Sequence, residues 1–548
     1  MSLDKVSVLL ADDLHFHERN FKSLFDFFQR SKIKYDYAKI DKSWLSLYGN
    51  YYSKRKHLNI YYDLLDKLTV DELFDFKIND CNVFEIVRSE LLSYLIPKPE
   101  WINENIYYNK TLFLTIIEKN KDDLLLNMAA ACYWFDFWEG YLNSSKVYTY
   151  CCIFSGCLIY TKVLKHCLKT RVTDPLLFEM SLTGKDYYCE NHYGVIPNKS
   201  IVGFNNYYNN IELDFENYFQ KKKIQHKALN KLILMDNKNV KQPDSSDKID
   251  FKNSNDTVLI IGQVINDFSI LESDLTEYNS LILYKTVINK ILNETDLNIV
   301  FKAHPWECNK INIYKSLTKD TLESFISDMS EDFQKRIKIV ENYNLKKLFN
   351  ITGFVITLCS QGAIEAAFNG VKCIQLGNAF YGRKGFTYDC GIDDFIDVLL
   401  TNDSNLTLNE FENFNNFLIK YLIEHLVSIH GSGLINLRKI FEKIEKIPLV
   451  SASTRKVNDQ NDIKKEIVTQ KNQEVVKKIE VIKKPKEIIA TKKTILDVSQ
   501  QAESSLKNEL LLNKKLSKLI YNPERFFNDS KYVSLRKIGH IYKAFKQN

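Results

Sequence analysis

Three short stretches carry side chains whose types and spacing suit the binding of a phosphate. The first, G-Q-V-I-N-D, places Gly262, Gln263, Asn266 and Asp267 directly after an apolar run. Its glycine permits a tight turn, and the polar groups that follow face outward from the run's end. The second, F-K-A-H-P-W-E, supplies Lys302, His304, Pro305 and Glu307. A cation and an imidazole together can meet a phosphate, and Pro305 ends the extended chain beside them. The third, T-L-C-S-Q-G-A-I-E-A-A-F-N-G, reads as a strand end turning into a helix. Ser360 is placed at the N-cap, Gln361 and Gly362 in the first turn, and Glu365 a turn further in. The free amides of such a helix start attract anions, and Glu365 can accept hydrogen bonds from ribose hydroxyls.

The elements that must position these residues alternate. Strands are predicted over 258–262, 297–302, 354–358 and 372–376, with helical segments over 275–292, 321–337 and 361–368 between them. Strand–helix–strand order at these lengths implies a parallel sheet with crossover helices. All three chemical stretches then fall at the carboxyl ends of strands, where open parallel sheets bind ligands. The strings G-x-x-x-x-G-K-[ST] and G-x-G-x-x-G are absent, so the reading rests on convergence of three sites rather than on one motif. No D-x-D occurs, which disfavours a metal-dependent transferase of the GT-A type.

Ahead of that sheet, residues 1–250 read as mixed helix and strand. A first strand is predicted over 6–10, helical spacing over 21–28 and 127–141, and a short apolar strand over 176–178 that ends at Glu179. Asp12, Asp13, His15 and His17 follow the first strand; they can line a cleft, ligate a metal or simply face solvent. His192, in E-N-H-Y-G, joins Asp12, Asp13 and His15 as a candidate lining of an acceptor cleft. A polar stretch over 237–257 marks a boundary by composition. The predicted organisation is thus an N-terminal Rossmann-like domain over 1–250, a second over 251–400 and helices over 401–450 that pack back on the body. A Lys/Glu-rich tether follows over 451–505, disordered or partly helical, and then a basic tail over 506–548.

The net charge of +6 hides a division. Residues 451–548 carry 22 Lys and Arg against 11 Asp and Glu, leaving the rest of the chain at −5. Within the tail, Lys514, Lys515, Lys518, Arg525, Phe526 and Phe527 mix cations with apolar groups, a pattern that suits an anionic membrane surface. The most apolar stretch, 148–164, is too short to span a bilayer. The 11 cysteines lack C-x-x-C spacing and read as reduced, buried thiols. Together these features predict a protein of the cytoplasm, held at the inner face of the cytoplasmic membrane by its tail, with no nucleic-acid partner.

The three motifs resemble those of the capsule polysaccharide synthesis family, which includes Kdo transferases. The family's G-Q-V-x-x-D-x-x-I appears here as G-Q-V-I-N-D-F-S-I, and its K-x-H-P as K-A-H-P. Its longer block appears as C-S-Q-G-A-I-E-A-A-F-N-G-V-K-C-I-Q-L-G-N-A-F-Y, followed by a Gly and a Thr. The likeness covers 258–387. Earlier in the chain, F-E-M-S-L-T-G-K and E-N-H-Y-G-V-I-P-N-K-S are similar to two further family segments, with Ser181 and Ile196 departing from the pattern.

The resemblance implies a GT-B glycosyltransferase, with two Rossmann-like domains whose parallel sheets face a central cleft. It implies a CMP-activated 3-deoxy-ulosonic acid as donor, Kdo or a nonulosonic acid such as sialic or pseudaminic acid. The acceptor would be a glycan or glycolipid of a bacterial capsule or lipopolysaccharide, with no metal or other cofactor. Lys302, His304 and Ser360 would hold the phosphate or the sugar carboxylate. Gln263, Asn266, Asp267, Pro305, Gln361, Gly362, Glu365 and Tyr381 would complete the donor site. Glu179 would be the catalytic carboxylate, as base or nucleophile, with His304 as its catalytic partner. Two alternatives are a CDP-polyol phosphotransferase of teichoic-acid type and an inactive assembly or export scaffold.

Overall fold

The computed structural model describes residues 3–107, 110–191, 198–234, 243, 245–251, 256–273, 275–431 and 433–442. His192, most of the boundary stretch 237–257, the tether and the tail with Lys514, Lys515, Lys518, Arg525, Phe526 and Phe527 lie outside the described residues.

Fourteen strands occur among the described residues: β1 Ser7–Leu10, β2 Lys34–Tyr37, β3 Lys77–Ile78, β4 Cys81–Asn82, β5 Tyr150–Phe154, β6 Asp174–Met180, β7 Asp186–Glu190, β8 Thr257–Ile261, β9 Asn298–Lys302, β10 Ile337–Val340, β11 Phe354–Thr357, β12 Cys373–Gln375, β13 Thr387–Asp389 and β14 Val427–Ser428. β3 and β4 form a small hairpin. The others make two six-stranded sheets.

The second sheet runs β10-β9-β8-β11-β12-β13 and is parallel throughout. Counted from its own first strand, that order is 3-2-1-4-5-6, the doubly wound arrangement. Every residue of β8 is buried, as expected of a strand covered on both faces, which is why its sequence is a continuous apolar run. The chain leaves β8 toward β9 on one side and β11 toward β12 on the other. The order reverses between β8 and β11, and the carboxyl ends of two such strands are where sheets of this kind place a ligand crevice.

The first sheet runs β14-β7-β6-β5-β1-β2. β2, β1, β5 and β6 are parallel, but β7 and β14 are antiparallel, so this sheet is mixed where a parallel one was predicted. β7 returns from β6 across a loop of only five residues, too short for a crossover helix. β14 comes from far along the chain, and the helix Gly433–Phe441 follows it onto the first sheet, where the Phe441 ring packs 5.4 Å from Phe27. The core there is aromatic, with Phe16, Phe21, Phe28, Phe178 and Tyr187 in one cluster. Order reverses between β1 and β5, so the switch point of this sheet lies beyond Leu10 and Phe154.

Two segments differ from the sequence reading. The predicted helix over 321–337 is two helices, Leu317–Ser327 and Glu331–Lys335, leading into β10. β10 is an edge strand with Ile337 and Val340 buried and Lys338 exposed, and its four residues are too few to show a period of two clearly. The apolar stretch 148–164 divides into β5 and the start of the helix Ile159–Leu168. Among the described residues, no helix is long and apolar enough to cross a membrane.

Helices and loops from the two halves meet. Arg88 Nη1 donates to the Leu271 carbonyl at 2.9 Å, Asn266 Nδ2 to Ser93 at 3.0 Å, Asn198 Nδ2 to Ser269 at 3.1 Å and Asn312 Nδ2 to Tyr48 at 3.1 Å. Lys162 pairs with Glu272 across the same seam. These contacts join the two halves along one seam.

Candidate functional site

At the switch point of the second sheet, Gln263 ties the two strand ends together. Its Oε1 accepts from Cys359 N at 3.0 Å, and its Nε2 donates to Asp267 Oδ2 at 3.2 Å. Asp267 in turn caps the short helix Phe268–Leu271 by accepting from Ser269 N at 2.9 Å. Gln263, Asn266 and Asp267 thus spend their hydrogen bonds on the frame of the switch point and on the seam. Gly262 is required for close approach: a Cβ there would fall 2.7 Å from the Phe301 ring.

His304 follows β9 by two residues. Its Nδ1 lies 3.2 Å from Trp306 N, which donates to it, so the proton of the neutral ring is on Nε2. Burial pushes the His304 pKa down to about 4; Asp267 opposes this, while Lys310 and Lys302 add to it. The imidazole is therefore a neutral donor at physiological pH. Pro305 lies beside it, half-buried. Lys302 turns away: its ammonium donates to the carbonyls of Ala303 and Glu341, both at 2.9 Å, and burial lowers its pKa to about 8. It secures the ends of β9 and β10.

At the end of β11 the helix begins at Gly362, with Gln361 as N-cap, one residue later than the sequence suggested for Ser360. Ser360 still serves the turn, its Oγ accepting from Gly362 N at 3.2 Å. Tyr381 is fully buried and its hydroxyl donates to the Ser360 carbonyl at 2.7 Å, so it props the turn from behind. Gln361 Oε1 and Glu365 Oε2 are buried acceptors with no donor among the described residues. Burial pushes the Glu365 pKa up to about 7, with Lys346 pulling the other way. The two side chains lie four residues apart at the start of this helix, and their oxygens can accept from a ligand that brings its own hydrogens.

In the first sheet, Glu179 stands near the end of β6. Burial raises its pKa to about 7, opposed by the Met180 amide, Ser155, His15 and Lys310. The Met180 amide donates to its Oε1 at 2.9 Å. Asp12 lies just past β1, buried, with Oδ1 accepting from His15 N at 2.7 Å and meeting His15 Nδ1 at 3.0 Å. Asp13 points outward to an ion pair with Lys42 at 2.9 Å.

Lys310 bridges the halves electrostatically. It acts on both Glu179 and His304, which come from different sheets. The sequence reading missed it, although it lies in the same loop as K-A-H-P, six residues past His304. Ser155 and Asn198 were missed as well; both act across long sequence separations, which spacing does not reveal. A cavity of about 630 Å³ lies between Pro97–Asn103 and Asn312–Asp328; Asn312 of the seam lines it, and Gln263, His304, Gln361, Glu365 and Glu179 do not. Among the described residues, no group of three His, Cys, Asp or Glu is arranged to hold a metal ion.

Residues 204–421 match the family model described as capsule polysaccharide biosynthesis protein. The capsule-synthesis resemblance read from the motifs is thereby shown over that stretch. Among solved structures, the Thermosulfurimonas dismutans KpsC beta Kdo 2,4 transferase is similar at 15% identity and a TM-score of 0.35, with 51% of this chain and 81% of that one covered. The beta Kdo 2,7 transferase of the same KpsC is similar at 13% identity and a TM-score of 0.32, with 55% and 88% covered. No curated protein matches the chain.

Proposed function

We propose that the protein is a GT-B glycosyltransferase of bacterial surface polysaccharide assembly. In this reading it moves a 3-deoxy-ulosonic acid from its CMP donor to a glycan acceptor. The observation that carries the reading is the meeting of the two halves at a seam, with Lys310 within electrostatic reach of both Glu179 and His304.

Each part of the donor has a group suited to it. Gln361 Oε1 and Glu365 Oε2 are acceptors awaiting hydroxyl or amine donors, which a ribose or a cytosine supplies. The His304 Nε2–H suits the phosphate, and Lys310 supplies a positive charge as CMP leaves. On the opposite side, Glu179 suits the cationic character that develops at the anomeric carbon. With a pKa of about 7 it is partly ionised at neutral pH, and ionised fully as the pH rises past 8. Charge neutralisation at the leaving phosphate is assigned to protein groups and not to a metal. In the same reading the basic segment 506–548 holds the enzyme at the anionic inner face of the cytoplasmic membrane.

The test is nucleotide preference. Calorimetric titration of the full chain with CMP, UMP and GMP is expected to show CMP bound at least tenfold more tightly than the others. Equal affinity for all three, or binding of none, would remove the proposed donor.

A further inference from the structure

We infer that His15, held by Asp12, is the general base that takes the proton from the acceptor hydroxyl; this rests on the transferase reading above. β1 sets the geometry. The strand ends at Leu10, and the chain turns over Ala11 and Asp12 at the switch point of the first sheet. Asp12 is 1% exposed, and its two oxygens are fully engaged: Oδ1 with His15 N and Nδ1, Oδ2 with the Tyr160 hydroxyl at 3.0 Å. A buried carboxylate fixed at both oxygens fixes the ring that it touches. His15 Nδ1 donates to Asp12, which leaves Nε2 as the lone-pair nitrogen.

Packing holds the ring as well. It stacks on Phe154 at the end of β5, with centroids 4.3 Å apart and planes 6° from parallel. The side chain keeps 17% of its surface exposed, and Nε2 has no hydrogen-bond partner among the described residues. The charged and titratable groups around it are Asp12, Tyr160 behind Asp12, and Glu179 from β6, which His15 reaches electrostatically. Asp13 is turned to Lys42 at the surface. An imidazole oriented by a buried carboxylate, with its other nitrogen free and the ring part-exposed, is the arrangement that base catalysis needs.

In the step so assigned, the acceptor O–H proton passes to His15 Nε2 as the oxygen bonds to the anomeric carbon. The bond from that carbon to the phosphate oxygen breaks, and its electron pair leaves on CMP. The imidazolium that results is stabilised by the Asp12 carboxylate and returns its proton to solvent at the exposed edge. Glu179 is then left to face the anomeric carbon.

The experiment measures CMP release from CMP-Kdo and CMP-N-acetylneuraminic acid by the full chain, with water as the accepting hydroxyl. His15→Ala is expected to lower kcat by ~10²–10⁴-fold with little change in KM, the range of a lost general base. Added imidazole is expected to restore part of the rate in His15→Ala but not in Glu179→Gln. His15→Gln controls for folding, with CMP affinity as the check that the donor side is intact. Rate within threefold of the parent in both His15 variants, or imidazole without effect, overturns the base assignment alone. A parent chain that turns over neither donor overturns the transfer reading and the base with it.

Discussion

Replacing Glu365 with Gln should make the protein more stable and its nucleotide site worse. The carboxyl is enclosed, one of its oxygens has no donor, and its pKa is raised from 4.5 to about 7, chiefly by burial. A raised carboxylate pKa means that the folded state resists ionisation. The associated stability is present below the unfolded value and is lost as pH rises through about 7. At pH 8 the ionised group costs the fold on the order of 3 kcal/mol, since each tenfold difference in proton affinity between the folded and unfolded chain is worth about 1.36 kcal/mol. At pH 5 the same linkage amounts to less than about 1 kcal/mol. Glu365→Gln removes this cost, so urea unfolding should show a gain of ~1–3 kcal/mol at pH 8 and almost none at pH 5. If the carboxylate accepts hydrogen bonds from bound CMP, the same change should weaken CMP by ~1.5–3 kcal/mol, roughly tenfold or more at pH 8. Opposite signs in stability and affinity are the signature. A variant that is no more stable at pH 8, or that binds CMP as the parent does, would refute the role given to Glu365.

Glu179→Gln and Glu179→Ala should each reduce donor turnover by ~10²-fold or more while leaving CMP affinity within about twofold, measured by kinetics and calorimetry. Because its pKa is also raised to about 7 by burial, Glu179→Gln should gain stability in urea above pH 7 and not at pH 5. Gly262→Ala should cost ~1–3 kcal/mol in urea unfolding, since the new methyl would lie 2.7 Å from the Phe301 ring and force it aside. Removal of residues 510–548 should abolish co-sedimentation with phosphatidylglycerol vesicles and leave CMP binding unchanged; pelleting equal to the parent would count against the tail as an anchor.

The second sheet was the more legible half. β8, β9, β11 and β12 are buried on both faces, so each reads as an apolar run, and the residues after each run declare themselves by type. Short strands did not declare themselves. β13 and β14 have three and two residues, and β7 is an antiparallel return whose run Asp186–Glu190 offers no distinct period. Nor could sequence say which polar residues are free. Lys302 and Tyr381 look like ligand groups on paper, yet both are occupied inside the protein, while Gln361 was one candidate among many until its oxygen proved to have no donor. Pairings across long separations, such as Tyr160 with Asp12 at 148 residues, belong to the fold and not to any local pattern.

The most direct measurement is the mass of the product. The full chain would be incubated with CMP-Kdo, CMP-sialic acid and CMP-pseudaminic acid, each with a panel of glycan acceptors, and the mixtures read by mass spectrometry. One acceptor should become heavier by a single ulosonic acid residue, with CMP released in equal amount, and Glu179→Gln should give no such product. An acceptor that gains a polyol phosphate from a CDP-polyol, or undiminished product from Glu179→Gln, would contradict the proposed transfer.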